Sequence, residues 1–422
     1  MRTMKRRDRR LERAHPPRHA MLSAAAARIR VFSVIAKPVG AACNLRCRYC
    51  YYLHKQSLLG QPAAPRMSLQ VLEEHIRQTL ESQPGPEVVF HWQGGEPTIA
   101  GLEFFREVVA LQRRHARPWQ RVGNSLQTNG TLLDARWADF LAEKGFLVGL
   151  SLDGPRALHD TYRVTPADGS VFDPVLKAAQ RLRRAGVAFH AMCVVNRANA
   201  RRPLEVYRFL ARELRPQAIQ FIPACAPLGF ERAAPGTVDA AAGAAVSTWS
   251  VEPTAWGRFL CAVWDDWLAH DYGRVFVDLF EDAVSISLGH GSQRCVSAER
   301  CGDALALEAD GGLYSCDHFV HPAHRLGNIT QAHQCELASS PRQRAFGDAK
   351  ADTLPRACRE CAHRALCGGD CPRNRFVPVP GEGVGISYLC AGHRMFFSHI
   401  ASDLQAIGRR IARASGPAAP GA

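Results

Sequence analysis

The sequence predicts an α/β protein, a partial (β/α)6 barrel followed by a small module stapled through cysteines. Three observations lead there. Short β-rich runs alternate with amphipathic helical runs between residues 31 and 224. A loop with three cysteines directly follows the first of these runs. Cysteine then becomes dense again from Cys295 onward.

The expected strands are VFSVIAKP, EVVFHWQ, NSLQTN, FLVGLSL, VAFHAMCVV and AIQFIP. Between them, Leu69, Leu72, Ile76 and Leu80 mark one helical apolar face. Trp137, Phe140 and Leu141 mark a second, and Val175, Ala179 and Leu182 a third. Repeated β/α units with helical crossovers imply a parallel sheet, curved into a partial barrel or left open. In such sheets the chemistry gathers beyond the C-terminal ends of the strands. The run PACAPLGFERAAPG opens a stretch rich in Ala, Gly and Pro through residue 246, expected as a linker. A helix carrying Trp256, Leu260, Val263, Trp264 and Trp267 follows, with these residues as core. ALALEADGGLYSC reads as a hairpin around Asp310-Gly311. The expected organisation is a basic, disordered tail over 1–30, the barrel over 31–225, linker and bridging helices over 226–290, the cysteine-rich module over 291–400, and a helix end with tail over 401–422.

Composition excludes more than it selects. The formal charge is +14, but the first twenty residues carry seven Arg and one Lys against two acids, and the rest is mildly basic. That distribution gives no reason to expect a nucleic-acid partner; Met21 offers an alternative start. No eighteen-residue apolar run suggests a membrane span, and no secretory signal is legible. The expected compartment is the cytoplasm, where fifteen cysteines, an odd number, are better explained as metal ligands than as disulfides.

The decisive stretch is KPVGAACNLRCRYCYY, with Cys43, Cys47 and Cys50 spaced C-x3-C-x2-C. A [4Fe–4S] cubane normally takes four thiolates, so three leave one iron open to a small molecule. The competing reading is a zinc knuckle completed by a distant residue. This motif, with Tyr49 just before its last cysteine, resembles that of the radical S-adenosylmethionine superfamily. The resemblance implies that the open iron chelates the methionine part of the cofactor, whose reductive cleavage yields a 5′-deoxyadenosyl radical. HWQGGEPT supplies Gly94, Gly95 and Glu96, which on the same resemblance meet the methionine amino group. SLQTNGT, SLDGP and HDTYRVT match further cofactor-contacting stretches, with Ser151 and Arg163 expected at the ribose and carboxylate. The loop around Cys225 is a weaker expectation for the cofactor.

In the C-terminal part, Cys295, Cys301 and Cys316 precede Cys358-x2-Cys361-x5-Cys367-x3-Cys371, and Cys390 follows. Eight thiolates suffice for two closed [4Fe–4S] clusters or, equally by count, two zinc sites. The run resembles the SPASM auxiliary-cluster domain. That resemblance implies Cys295, Cys301, Cys316 and Cys371 on one cluster and Cys358, Cys361, Cys367 and Cys390 on the other. Cys193, Cys261 and Cys335 lack ligand spacing and are expected as inert thiols, as is Cys225 unless its loop meets the cofactor. From Val31 to Phe397 the chain resembles the anaerobic sulfatase-maturating enzymes, where the residue matching Asp317 is the proposed general base. The resemblance implies a radical oxidoreductase that converts a Cys or Ser of a sulfatase polypeptide to Cα-formylglycine. It also implies three [4Fe–4S] clusters, S-adenosylmethionine, and an electron donor such as flavodoxin or ferredoxin. Two alternatives compete: another SPASM peptide maturase that forms thioether or carbon–carbon crosslinks, and a zinc-ribbon nucleic-acid binder.

Overall fold

The computed structural model describes residues 32–62, 64–238 and 245–414. The tail expected over 1–30 and the last residues of the C-terminal tail, 415–422, lie outside that range.

The expected strands form with trimmed ends: β1 (Ser33–Ala36), β2 (Glu87–Trp92), β3 (Arg121–Thr128), β4 (Leu147–Ser151), β5 (Phe189–Val195) and β6 (Ala218–Pro223). They pair in chain order and in parallel. The crossovers carry α1 (Leu69–Ser82), α2 (Leu102–His115), α3 (Ala135–Glu143), α4 (Phe172–Arg184) and α5 (Pro203–Arg208). Local chemistry sets their starts. Ser68 caps α1 by accepting from the Val71 N–H, and Asp134 caps α3 by accepting from the Trp137 N–H. The α1 face differs from its expectation: Leu72, Ile76 and Leu80 are buried, but Leu69 is exposed and Val71 takes its place. The stripe is rotated at the first turn.

The sheet runs past the barrel at both edges. After α6 (Pro253–His270), β7 (Phe276–Val277) adds to β6 and leads into α7 (Asp278–Ser287). On the other edge, β8 (Ala304–Leu307) pairs in parallel with β1, aligning Ala36 with Leu307. The expected hairpin then turns at Asp310-Gly311 into β9 (Gly312–Tyr314), and β10 (Arg325–Asn328) completes a ten-stranded sheet. The cysteine-rich region is therefore continuous with the barrel's sheet. Beyond it, α8 (Pro341–Asp352) leads to the cysteine loops, and α9 (Cys390–Ala414) crosses α6 where Gly257 meets Gly392. A Cβ on Gly257 would sit 2.8 Å from the Gly392 carbonyl, so the crossing depends on glycine.

The strands alternate although they are parallel. Val88, Phe90 and Trp92 on β2, and Phe189, Ala191, Cys193 and Val195 on β5, are buried. The opposite residues Gln93, Gln127, Ser151, His190 and Met192 line an interior cavity of about 3350 Å³. Fully buried parallel strands would be apolar on both faces; here one face is reserved for ligands.

Candidate active site

The three-cysteine loop lies at the C-terminal end of β1 and is pinned by backbone. Arg46 and Arg48 donate N–H groups to the carbonyls of Val164 and Tyr162, both at 2.8 Å. From the next strand, Gly95 donates to the Gly40 carbonyl at 2.8 Å and Glu96 to that of Ala42 at 2.9 Å. A Cβ on Gly95 would lie 2.0 Å from the Ala42 oxygen, so only glycine lets the two loops approach. Cys43, Cys47 and Cys50 line the cavity together with Gly94 and Gly95. Burial pushes the Cys43 thiol up to about 12 and the Cys47 thiol to about 11. Among the described residues no three His, Cys, Asp or Glu side chains converge closely enough for one metal ion.

Glu96 departs from its expectation. Its carboxylate is fully buried and accepts from the Thr98 N–H at 3.0 Å, the Thr98 hydroxyl at 2.5 Å, the Thr128 hydroxyl at 2.7 Å and the Asn129 N–H at 2.7 Å. It does not line the cavity, so the backbone of Gly94 and Gly95 is what the motif presents there. The carboxylate instead ties the end of β2 to the end of β3, and Asn129 also donates to Asn44 at 2.9 Å within the cysteine loop.

Beside the cysteine loop, Arg163 and Tyr49 converge on Asp153 of the SLDGP stretch. Arg163 donates to both carboxylate oxygens, at 3.0 and 3.2 Å, and the Tyr49 hydroxyl donates to one of them. Asp153 also accepts from the Val194 N–H at 2.9 Å, which anchors it to β5. The guanidinium lies 5.5 Å from the Tyr49 ring centre. Ser151, at the end of β4, lines the same wall. Cys225 is buried at the cavity edge and reaches Asn374 at 3.3 Å, joining the loop after β6 to the C-terminal region.

Asp317 lines the same cavity. Its carboxylate accepts from the Lys37 ammonium through one oxygen and from the Tyr51 hydroxyl through the other. Lys37 also contacts Gln93 at 3.3 Å and lies 4.3 Å from the Tyr52 ring centre. Burial favours the neutral acid at Asp317. The Lys37 charge, His318 and the two donated hydrogen bonds outweigh burial and hold the carboxyl below its ordinary range. The group is therefore an ionised acceptor facing the cavity. His318 follows in an irregular turn, 3.8 Å from the Cys371 sulfur.

Eight of the remaining twelve cysteines fall into two sets by the fields they exert on one another. Cys316, Cys371 and Cys301 each feel Cys295, and Cys316 feels Cys371. Cys358 feels Cys390 and Cys361, and Cys367 feels Cys390 and Cys358. The Cys367–Cys371 loop reverses through three consecutive left-handed residues, Gly368 (φ 55°), Gly369 (φ 77°) and Asp370 (φ 62°). A Cβ on Gly368 would fall 2.4 Å from the Ser297 carbonyl, which explains the glycine there.

Sequence reasoning did not find Lys37, Tyr51, Gln93 or Asp153. Each lies within a quoted motif, so their positions were on view, but their partners are distant in the chain.

A three-thiol loop above the strand ends of a partial barrel, with two four-thiol sets behind it, defines the radical S-adenosylmethionine enzymes that carry auxiliary iron–sulfur centres. The model of the radical SAM superfamily matches residues 38–210, and that of an iron–sulfur cluster-binding domain matches 295–362. A serine-type anaerobic sulfatase-maturating enzyme of Bacteroides thetaiotaomicron is 38% identical, over 91% of this chain and 93% of its own. A cysteine-type enzyme of Clostridium perfringens is 32% identical, over 87% and 95%. Among solved structures, native anSMEcpe with bound AdoMet aligns with TM-score 0.79 and 31% identity, over 89% of this chain and 99% of that one. The same protein with AdoMet and the Kp18Cys peptide aligns with TM-score 0.78 and 31% identity, over 90% and 99%. The chain belongs to the anaerobic sulfatase-maturating enzymes and is a radical S-adenosylmethionine oxidoreductase.

Proposed function

We propose that this protein oxidises a Cys or Ser side chain of a sulfatase polypeptide to Cα-formylglycine without dioxygen, with Asp317 as the general base. The observation that carries this reading is an ionised, buried carboxylate that lines the cavity and is held by Lys37 and Tyr51. Its two donors orient it, and it can accept the proton released from the target sulfur or oxygen. The Cβ hydrogen atom would go to the deoxyadenosyl radical and the second electron to an auxiliary cluster. Ser would give the aldehyde directly, and Cys a thioaldehyde that water hydrolyses with loss of sulfide. The cluster held by Cys43, Cys47 and Cys50 supplies, when bound, reductive cleavage of S-adenosylmethionine to a carbon radical. The chain's own residues bind, orient and exclude water. Gly94 and Gly95 offer backbone to the methionine amino group. Arg163, held by Asp153, faces the methionine carboxylate, Ser151 the ribose, and Tyr49 completes that wall. Cys225 borders the cofactor site from the loop after β6.

Two further cluster sites fit the two thiol sets, Cys295, Cys301, Cys316 and Cys371 in one and Cys358, Cys361, Cys367 and Cys390 in the other. The barrel would span 31–225, bridging segments 226–290 and the auxiliary module 291–400. A cavity of about 3350 Å³ is several times that of a usual small-molecule site, which suits a cofactor and a peptide segment together. Short-spaced cysteines read as cluster ligands suit a reducing cytoplasm, where flavodoxin or ferredoxin would be the reductant. No described helix is long and apolar enough to cross a membrane.

The relatives at 38% and 35% identity are serine-type and those at 32% are cysteine-type, which favours serine as the native target. The test pairs a sulfatase peptide carrying Cys with its Ser twin. Each is incubated anaerobically with reconstituted protein, reductant and S-adenosylmethionine. Mass spectrometry should find the aldehyde in both, with faster turnover of the Ser peptide. Cofactor cleavage with neither peptide modified would refute the assignment.

A further inference from the structure

Two cations are buried in the cysteine-rich region without a carboxylate partner. Lys350, on α8, has no exposed surface, and Arg375 retains 4%. The Lys350 ammonium donates to the carbonyls of Cys295 at 2.5 Å, Val296 at 2.9 Å and Ala298. Three acceptors around one amine nitrogen require three N–H bonds, so the side chain is an ammonium ion. Arg375 donates to the carbonyls of Gly369 at 2.7 Å, Lys350 at 2.6 Å, Asp370 at 3.0 Å and Gly368 at 3.2 Å. The neighbouring Asp370 carboxylate turns away, accepting from the Cys371 N–H, Asn374 and Ser387. Among the described residues neither cation reaches a carboxylate.

A buried charge without a counter-charge is costly, so something must balance these two. Burial works against the Lys350 charge and lowers its pKa, and the groups that offset it are the sulfurs of Cys301, Cys371 and Cys295. Burial lowers Arg375 as well, offset first by the Asp370 carboxylate and then by the sulfurs of Cys358, Cys371 and Cys367. Lys350 thus serves one set of four cysteines, and Arg375 stands between the two sets. The same side chains hold the backbone that carries the ligands, through Cys295, Gly368, Gly369 and Asp370.

We propose that Lys350 and Arg375 are positioning residues of the auxiliary centres: they fix the cysteine loops through backbone carbonyls, and their unpaired charge raises the reduction potential of the clusters. This rests on the reading that the eight cysteines hold [4Fe–4S] clusters. Net charge near a cluster is a principal determinant of its potential. A raised potential suits a centre that receives an electron rather than one that gives it.

The test uses the full chain with Cys43, Cys47 and Cys50 replaced by Ala, so that only auxiliary centres titrate. After anaerobic reconstitution, iron and sulfide are counted and midpoint potentials are read by redox titration with electron paramagnetic resonance. Lys350→Met and Arg375→Gln should keep their iron and shift the potential downward. Arg375→Lys, which keeps charge but loses the guanidinium fork, and exposed Lys177→Met should stay near the parent. Unchanged potentials at full iron content in the two neutral variants overturn the proposal. Loss of iron from both neutral variants, with Arg375→Lys intact, overturns the effect on potential and leaves only the fixing of the cysteine loops. A parent without auxiliary iron instead overturns the cluster reading beneath it.

Discussion

Lys37 and Asp317 form a buried ion pair although 280 positions separate them in the chain. Lys37 ends the segment just after β1, and Asp317 follows β9. The parallel pairing of β8 along β1 brings them together, since it sets Leu307 beside Ala36 and folds the next hairpin over the strand end. The acceptor proposed for catalysis is thus built on the same sheet as the loop proposed to hold the radical-generating cluster.

Asp317→Asn keeps the shape of the side chain but removes the proton acceptor. Product formation should fall by roughly 10²–10⁴, the usual worth of a general base. Cofactor cleavage should persist, so the ratio of 5′-deoxyadenosine to modified peptide will rise sharply. An unchanged ratio would remove Asp317 from the base role.

The ion pair should also show in stability. Breaking a buried pair from one side costs about 3–5 kcal/mol, because it strands the other charge. Asp317→Asn should fall at the low end, since Lys37 still has Gln93 at 3.3 Å and the Tyr52 ring at 4.3 Å. The double variant Lys37→Met/Asp317→Asn should lose less than the two singles added together. Thermal midpoints of the reconstituted proteins measure this; strict additivity would mean the pair contributes nothing.

Iron content separates the thiol sets. Three [4Fe–4S] clusters hold about twelve irons, and the Cys43/Cys47/Cys50→Ala variant should fall to about eight. Gly95→Ala should lower iron the same way without touching a ligand, because its Cβ would collide with the Ala42 carbonyl at 2.0 Å. Retention of all the iron in Gly95→Ala would mean that the loop contact is dispensable.

Glu281, on α7, lines the far end of the cavity, and burial pushes its carboxyl up to about 7 from 4.5. A carboxyl raised in the folded state binds its proton more tightly there, so it loses stability as pH climbs from about 4.5 through 7. Glu281→Gln should therefore stabilise the protein by up to about 3 kcal/mol at pH 8 and by little at pH 5. Melting curves at the two pH values check the sign. A gain that is larger at pH 5 would contradict it.

Much of the site could be read before folding because its chemistry is written in local spacing. Cys43, Cys47 and Cys50 are fixed by one loop, and Gly94 and Gly95 are required by one close approach. The alternation of β-rich and helical runs announced a parallel sheet, and β1 to β6 form within the runs expected for them. The Glu96 expectation was local too, and it failed because the nearest hydrogen-bond donors, Thr98, Thr128 and Asn129, captured the carboxylate.

Composition, spacing and periodicity by themselves determined a parallel α/β sheet, barrelled or open, with a three-thiol loop after its first strand and eight further clustered thiols, since these depend on neighbours a few residues apart. Only the tertiary structure decided which long-range partners meet. Asp153 was to hold Arg163 and Tyr49, Lys37 and Tyr51 were to hold Asp317, and Lys350 and Arg375 were to lie unpaired among the cysteines. The physical reason is that a buried charge chooses its partner by distance in space, and strand pairing across hundreds of residues sets that distance.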